Sequence, residues 1–228
     1  MGPAQQWGLA DRRLYLCTPD RPDLEQFVGA CLAGGVDIVQ FREKHLPDEQ
    51  LVQRATLVQR VCADHGVPFI LNDRPDLAAA MGADGVHVGQ DDTLPETARP
   101  VVGAHAIIGL STHAPGELEA ALGTRHGEPT GTLTAAPVDY ISAGPVVATP
   151  TKPGRPGTGL GYVTTAVGRA PWSVWVTGGV DPDTVVDMID AGARHFVVVR
   201  WLTGAAEPET SARVLRRTID EVIERVEA

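Results

Sequence analysis

In this chain the polar residues with chemical potential fall at the ends of apolar runs. Phe69-Ile70-Leu71 stops at Asn72-Asp73, and Val86-His87-Val88 stops at Gln90-Asp91-Asp92. If these runs are neighbouring parallel strands, Asp73 and one of Asp91 or Asp92 face the same space. Two bare carboxylates about 4 Å apart repel by on the order of 4 kcal/mol at an effective dielectric of about 20. The pattern therefore calls for positive charge, and a hard cation with oxygen ligands supplies it. Upstream, Gln40, Arg42 and Lys44 recur at every second residue, which in a strand puts them on one face and Val39 and Phe41 on the other. Basic side chains beside paired carboxylates suit a Mg²⁺-diphosphate site, where metal and cations share the anionic oxygens. Spacing leaves the choice between Asp91 and Asp92 open, and Asn72-Asp73 before Arg74-Pro75 also fits turn and helix-cap chemistry.

Further candidates lie downstream. The stretch 148–161 (ATPTKPGRPGTGLG) sets Thr149, Thr151 and Lys152 among prolines and glycines, a composition able to fold over a phosphate or to form an ordinary surface loop. Gly178-Gly179 and Val199-Arg200 end two later apolar runs, at places where barrels bind phosphate through backbone N–H groups. His87 sits in the middle of its run and reads as a satisfied interior histidine.

The elements that must position these residues follow a repeated strand-then-helix pattern. Strand-like runs occur at 14–17, 37–43, 69–71, 86–88, 106–110, 140–146, 174–177 and 196–201. Most are followed by apolar residues at helical spacing, such as Leu51, Ala55, Val58 and Cys62, or Leu215, Ile219, Val222 and Ile223. Asp181-Pro182 has the pattern of a helix start. Eight such repeats predict an α/β chain closing into a single (β/α)₈ TIM barrel over 1–228, with an open doubly wound sheet as the competing architecture. Residues 1–12 read as an N-terminal extension and 123–137 as a surface loop insertion. A barrel gathers all strand C-terminal ends on one face, where active sites of this fold lie.

Composition narrows the function classes. The 228 residues are 43% hydrophobic, within the range of one α/β-barrel domain. A formal net charge of −10 disfavours a nucleic-acid surface. No run approaches a membrane span and the N-terminus lacks a signal-peptide centre, so a cytoplasmic protein is expected. Cys17, Cys31 and Cys62, odd in number and set in apolar patterns, read as reduced core thiols. Helix faces look satisfied by the barrel, which leaves room for a homo-oligomer with a modest contact.

Taken together, VQFREK at 39–44, LND at 71–73, GVHVGQDD at 85–92, GLSTH at 109–113, GPVVATPTK at 144–152, TGGV at 177–180 and VVVRWL at 197–202 resemble the thiamin-phosphate synthase family over nearly the whole barrel. The resemblance implies condensation of 4-amino-5-hydroxymethyl-2-methylpyrimidine diphosphate with 4-methyl-5-hydroxyethylthiazole phosphate, giving thiamin phosphate and pyrophosphate with Mg²⁺. It implies Asp73 and Asp92 as metal ligands. Arg42, Lys44, Asn72, Ser111 and Lys152 would bind the diphosphate, with Arg42, Lys44, Ser111 and Lys152 assisting its departure. Gln40 would contact the aminopyrimidine. Thr149, Thr151, Gly179 and the backbone at Val199-Arg200 would hold the thiazole phosphate. Three departures stand out: 123–137 is longer than the family's usual link, Phe41 replaces a frequent leucine, and Arg200 replaces the serine of some members. A thiazole tautomerase-like isomerase of the same fold, or a non-catalytic barrel that binds a thiamin precursor, would have no need for the diphosphate and metal residues.

Overall fold

The computed structural model describes residues 2–123, 137–148 and 157–228. Strands β1 (Leu14–Thr18), β2 (Ile38–Phe41), β3 (Phe69–Asn72), β4 (Gly85–Val88), β5 (Ile107–Thr112), β6 (Tyr140–Ala143), β7 (Ser173–Thr177) and β8 (His195–Val198) form a closed barrel in sequence order. Every neighbouring pair is parallel, and β1 pairs with β8 to close the ring. The (β/α)₈ expectation holds, and the open sheet is set aside.

Around the strands lie α2 (Leu24–Ala33), α3 (Asp48–Asp64), α4 (Pro75–Met81), α5 (Pro95–Val102), α6 (Pro115–Gly123), α7 (Gly159–Arg169), α8 (Thr184–Asp190) and α10 (Pro208–Glu227). Each buries a stripe set by helical spacing, as in α3, where Leu51, Ala55, Val58 and Cys62 are covered. These stripes pack on the outward faces of the strands, where Val39, Phe41, Leu71 and Val86 belong to the same apolar layer. Phe41 is fully buried there, so its replacement of leucine is a matter of packing.

The inward faces carry two kinds of residue. Toward the N-terminal end, Tyr15, Ile38, Ile70, Ile107, Tyr140 and Trp175 fill the barrel. Further along the strands, alternation places Cys17, Gln40, Asn72, His87, Ser111 and Ser142 on the same inward face, and these form the polar layer at the C-terminal mouth. Gly109 makes this filling possible. A Cβ there would lie 2.1 Å from Cζ of Tyr140, so only glycine lets the tyrosine ring cross the barrel.

Several boundaries differ from the sequence expectation. Strand β8 ends at Val198, and 200–203 form a short helix, α9 (Arg200–Thr203), because a continuous apolar run does not separate strand from buried helix. Strand β6 ends at Ala143, before the cis Gly144-Pro145 bond, while β5 extends through Ser111 to Thr112. Helix α7 falls partly in the stretch read as a loop. The Asp181 helix start holds in its chemistry: Oδ1 accepts from the amides of Asp183 and Thr184 at 3.0 and 2.9 Å, although regular helix begins at Thr184. The N-terminal extension forms α1 (Pro3–Gln6) and a 3₁₀ turn at Leu9–Asp11. Leu9 is buried against the inner aromatic cluster, so this segment seals the N-terminal end of the barrel. Of the 123–137 insertion, Gly123 ends α6 and Pro137 leads into β6, while 124–136 lie outside the described residues.

Candidate active site

The strand C-terminal ends surround a cavity of about 340 Å³. On the β2 side, alternation delivers Gln40 and Arg42 to its wall. Gln40 is buried, with its amide fixed at both ends: Cys17 Sγ donates to Oε1 at 3.2 Å, and Nε2 donates to the Tyr15 hydroxyl at 3.0 Å. Arg42 has no carboxylate partner among the described residues, which leaves its guanidinium available to an anion. Asn72, at the end of β3, is 7% exposed, and its Nδ2 has no hydrogen-bond partner among the described residues. A buried donor without a partner carries a desolvation cost that a ligand oxygen in the cavity would relieve.

The next residue changes the chain's direction. Asp73 has φ of +63°, a left-handed conformation that a short polar side chain tolerates but that remains uncommon outside glycine. Its amide donates to the His87 carbonyl at 2.8 Å, which pins the end of β3 to β4. The carboxylate so aimed accepts from Lys44 Nζ at 2.8 Å and lies beside Asp92. Burial pushes the Asp73 carboxyl up, Lys44 opposes that, and Asp92 pushes it further up. Burial acts against ionisation of Asp92 too, but Asp73, the Gly89 amide and Lys44 outweigh it and bring Asp92 below the ordinary carboxylate range. The two carboxyls thus act on each other, with Lys44 favouring the ionised form of both.

The structure distinguishes Asp92 from Asp91. Asp92 turns back so that Oδ2 accepts from the Gly89 amide at 2.9 Å, whereas Asp91 is exposed. Among the described residues no cluster of three or more His, Cys, Asp or Glu side chains could hold a metal. The Asp73–Asp92 pair offers a hard cation two carboxylates. That donor set fits Mg²⁺, which keeps several waters and completes its shell with substrate phosphate oxygens. Lys44 is 43% exposed, and half-exposed pairs of this kind contribute about 0–1 kcal/mol, so the ammonium can exchange Asp73 for a diphosphate oxygen at little cost.

Across the barrel, Gly178 and Gly179 follow β7 with φ of +93° and +82°. A Cβ on Gly179 would lie 2.5 Å from Cγ2 of Val147, so the turn brings bare backbone to the cavity wall. Val199 and Arg200 line the same side at the start of α9. A glycine turn after strand seven and a short extra helix after strand eight form the recurrent phosphate anchor of such barrels. Arg200 is exposed and lines the cavity. Thr149, Thr151 and Lys152 lie outside the described residues. Of the other expected residues, Gln40, Arg42, Asn72, Ser111, Gly179, Val199 and Arg200 line the cavity, while Lys44, Asp73 and Asp92 meet one another beyond the ends of β2, β3 and β4 and are not part of its lining.

Sequence reasoning left out part of the cavity floor. Tyr15, Cys17, His87, Tyr140, Ser142 and Thr177 also line it. The available signal was alternation: Tyr15 shares a strand face with Cys17, Tyr140 with Ser142, and His87 with Gly85 at the barrel interior. His87 is indeed satisfied, with Nδ1 2.9 Å from the Tyr140 hydroxyl and Nε2 2.9 Å from Ser111 Oγ.

Residues 14–202 match the family model described as thiamine monophosphate synthase. The chain is 42% identical over 215 residues to a thiamine-phosphate synthase of Thermobifida fusca (strain YX), covering 92% of this chain and 94% of the relative. It is 44% identical over 226 residues to a thiamine-phosphate synthase of Mycobacterium leprae (strain TN), covering 92% of each. Its fold superimposes on the thiamine phosphate pyrophosphorylase of Pyrococcus furiosus with a TM-score of 0.78 at 26% identity, covering 92% of this chain and 96% of that one. With the barrel, the mouth residues and these matches in hand, the chain belongs to the thiamine monophosphate synthase family.

Proposed function

We propose that the chain condenses 4-amino-5-hydroxymethyl-2-methylpyrimidine diphosphate with 4-methyl-5-hydroxyethylthiazole phosphate, forming thiamin phosphate and releasing pyrophosphate. The observation that carries this reading is the meeting of Asp73 and Asp92 beside Lys44 at the strand ends, next to a cavity whose wall holds Arg42, an Asn72 amide with no partner among the described residues, and the glycine backbone after β7. An isomerase or a sensor acting on thiazole phosphate would use the anchor alone.

In this reading Gln40 holds the aminopyrimidine. Arg42, Lys44, Asn72 and Ser111 bind the diphosphate, joined by Lys152. Gly179 and the backbone at Val199-Arg200, joined by Thr149 and Thr151, hold the thiazole phosphate. Asp73 and Asp92 would hold Mg²⁺, which when bound supplies positive charge against the diphosphate oxygens. The carbon–oxygen bond breaks with its electron pair leaving on pyrophosphate, and the aminopyrimidine donates density to the methylene cation. The thiazole nitrogen lone pair then forms the new carbon–nitrogen bond. No general base is needed. The chain's residues stabilise negative charge on the leaving group and align the nucleophile, the two contributions that positioned donors make best.

A cytoplasmic setting and small-molecule substrates belong to the same proposal. No helix among the described residues is long and apolar enough to cross a membrane. The test is product formation from the two purified substrates with Mg²⁺ added or chelated. Mg²⁺-dependent thiamin phosphate is the expected result. Absence of product at every Mg²⁺ concentration, with the thiazole phosphate still bound, would overturn the synthase reading.

A further inference from the structure

The cavity floor holds an unbroken series of buried polar contacts. Gln40 Nε2 lies 3.0 Å from the Tyr15 hydroxyl, which lies 2.9 Å from the Tyr140 hydroxyl. That hydroxyl lies 2.9 Å from His87 Nδ1, and His87 Nε2 lies 2.9 Å from Ser111 Oγ. The series crosses from β2 through β1, β6 and β4 to β5, joining the two ends of the site through the barrel interior. The rings are held rigidly. Tyr15 and Tyr140 are each 1% exposed, Tyr15 meets Trp175 edge-on at 5.3 Å, and His87 stacks on Tyr140 at 5.6 Å. Gly109 provides the space for the Tyr140 ring.

Proton counting gives the series a direction. An amide nitrogen only donates, and a phenol has one proton. Tyr15 accepts from Gln40, so its own proton goes to Tyr140, and the Tyr140 proton goes to His87 Nδ1. His87 is then protonated at Nε2 and donates to Ser111 Oγ. The Ser111 proton is left to point into the cavity. Turning the Gln40 amide over reverses every link. His87 would then carry its proton on Nδ1, Ser111 would donate inward to Nε2, and only oxygen lone pairs would face an anion. In the first orientation the amide oxygen also accepts from Cys17, while in the second the amide NH₂ would meet sulfur, a weak acceptor.

We propose that these five side chains form a directional relay in which Tyr15 and Tyr140 are positioning residues. They hold His87 as the Nε2–H tautomer so that Ser111 donates its proton to an anionic substrate oxygen. A ligand that bonds the Gln40 amide thereby sets the donor state of Ser111, so recognition of the ring is coupled to stabilisation of the leaving diphosphate. The assignment of the two ends to ring and diphosphate rests on the synthase reading, whereas the tautomer does not.

The test is ¹⁵N NMR of the histidine-labelled full chain, with and without pyrophosphate, the His87 signals being identified by their loss in His87→Gln. In the native chain Nδ1 resonates as a bare nitrogen and Nε2 as a protonated one, more completely with pyrophosphate bound. In Tyr140→Phe the two tautomers mix. The kcat for condensation falls by about tenfold, with a smaller change in KM, as for a donor that matters most at the transition state. Because Tyr140 acts through Ser111, Tyr140→Phe has no further effect in a Ser111→Ala background. A native His87 protonated on Nδ1 would overturn the relay, as would an unchanged His87 spectrum in Tyr140→Phe, or fully multiplicative effects of the two substitutions. The native spectrum decides the direction even if Tyr140→Phe fails to fold. A native chain that forms no product removes the synthase reading and leaves the tautomer measurement standing.

Discussion

Aspartates stand at both ends of the barrel, and their surroundings differ. Asp37, Asp84 and Asp139 immediately precede β2, β4 and β6 at the N-terminal end, and each accepts amides from the odd-numbered strand before it. Asp37 takes Arg13 and Leu14, Asp84 takes Phe69, and Asp139 takes Ile108, all between 2.8 and 3.1 Å. Two of them also meet an arginine: Arg216 on Asp37 at 2.8 Å and Arg99 on Asp139 at 2.6 Å. Asp73 and Asp92 follow β3 and β4 at the other end, where a carboxylate faces a carboxylate. At one end each acid finishes a strand's hydrogen bonding within the fold. At the other, Asp73 and Asp92 share Lys44, one positive charge against two carboxylates. Under the proposed function, the comparison separates acids that hold the barrel from acids that serve its chemistry.

Substitutions test that separation. The largest effect is expected on turnover. Asp92→Asn should lower Mg²⁺-dependent product formation by about 100-fold or more, the scale on which removal of a transition-state electrostatic partner acts. Asp91→Asn, at an exposed position, should leave the rate within about twofold, consistent with ordinary surface substitutions. Equal losses in steady-state assays of the two variants would erase the distinction between them.

The next effect is on stability. Arg99 and Asp139 are each 9% exposed, so Arg99→Leu strands a buried carboxylate. Breaking such a pair costs about 3–5 kcal/mol, a fall in Tm on the order of 10 °C for a domain of this size. The melting curve reads this directly, and kcat measured well below the transition should remain near the native value.

The smallest effect is a pH dependence. Burial raises the Asp84 carboxyl above its ordinary value of 3.8, against the opposing Phe69 amide. A raised folded value means that the folded chain binds the proton more tightly than the unfolded chain. Stability from this group is therefore full below the unfolded value and is lost as pH rises through the folded one. Asp84→Asn keeps an oxygen for the Phe69 amide but does not titrate, so it should gain on the native chain in Tm between about pH 4 and pH 7. A difference that is flat in pH, or that moves the other way, would show that Asp84 carries no such penalty.

Much of this organisation is legible in the sequence because it follows period-two alternation. Gln40 and Arg42 reach the cavity while Val39 and Phe41 join the outer layer, as strand geometry requires. The choice of Asp92 over Asp91 is not legible from spacing, since it depends on a loop folding back to the Gly89 amide. Helix α7 escapes notice because Gly161, Thr164, Thr165 and Gly168 are weak helix formers; tertiary packing of Tyr162, Val163 and Ala166 overrides that propensity. The bottom aspartates read as turn residues, because the amides they accept belong to strands 15 to 31 residues away. The tyrosine–histidine floor is hidden for the same reason: its links join residues as far apart in the chain as Tyr15 and Tyr140.

The most direct measurement sets one acid from each end side by side, with Mg²⁺-dependent turnover and Tm recorded for Asp73→Ala and Asp139→Ala. Asp73→Ala should lose activity by about 100-fold or more while melting within a few degrees of the native temperature, because relief of the carboxylate pair offsets the cost of alanine in a left-handed conformation. Asp139→Ala should melt far lower yet turn over at near the native rate when assayed while folded. Native turnover in Asp73→Ala, or a collapse of its fold, would contradict the account.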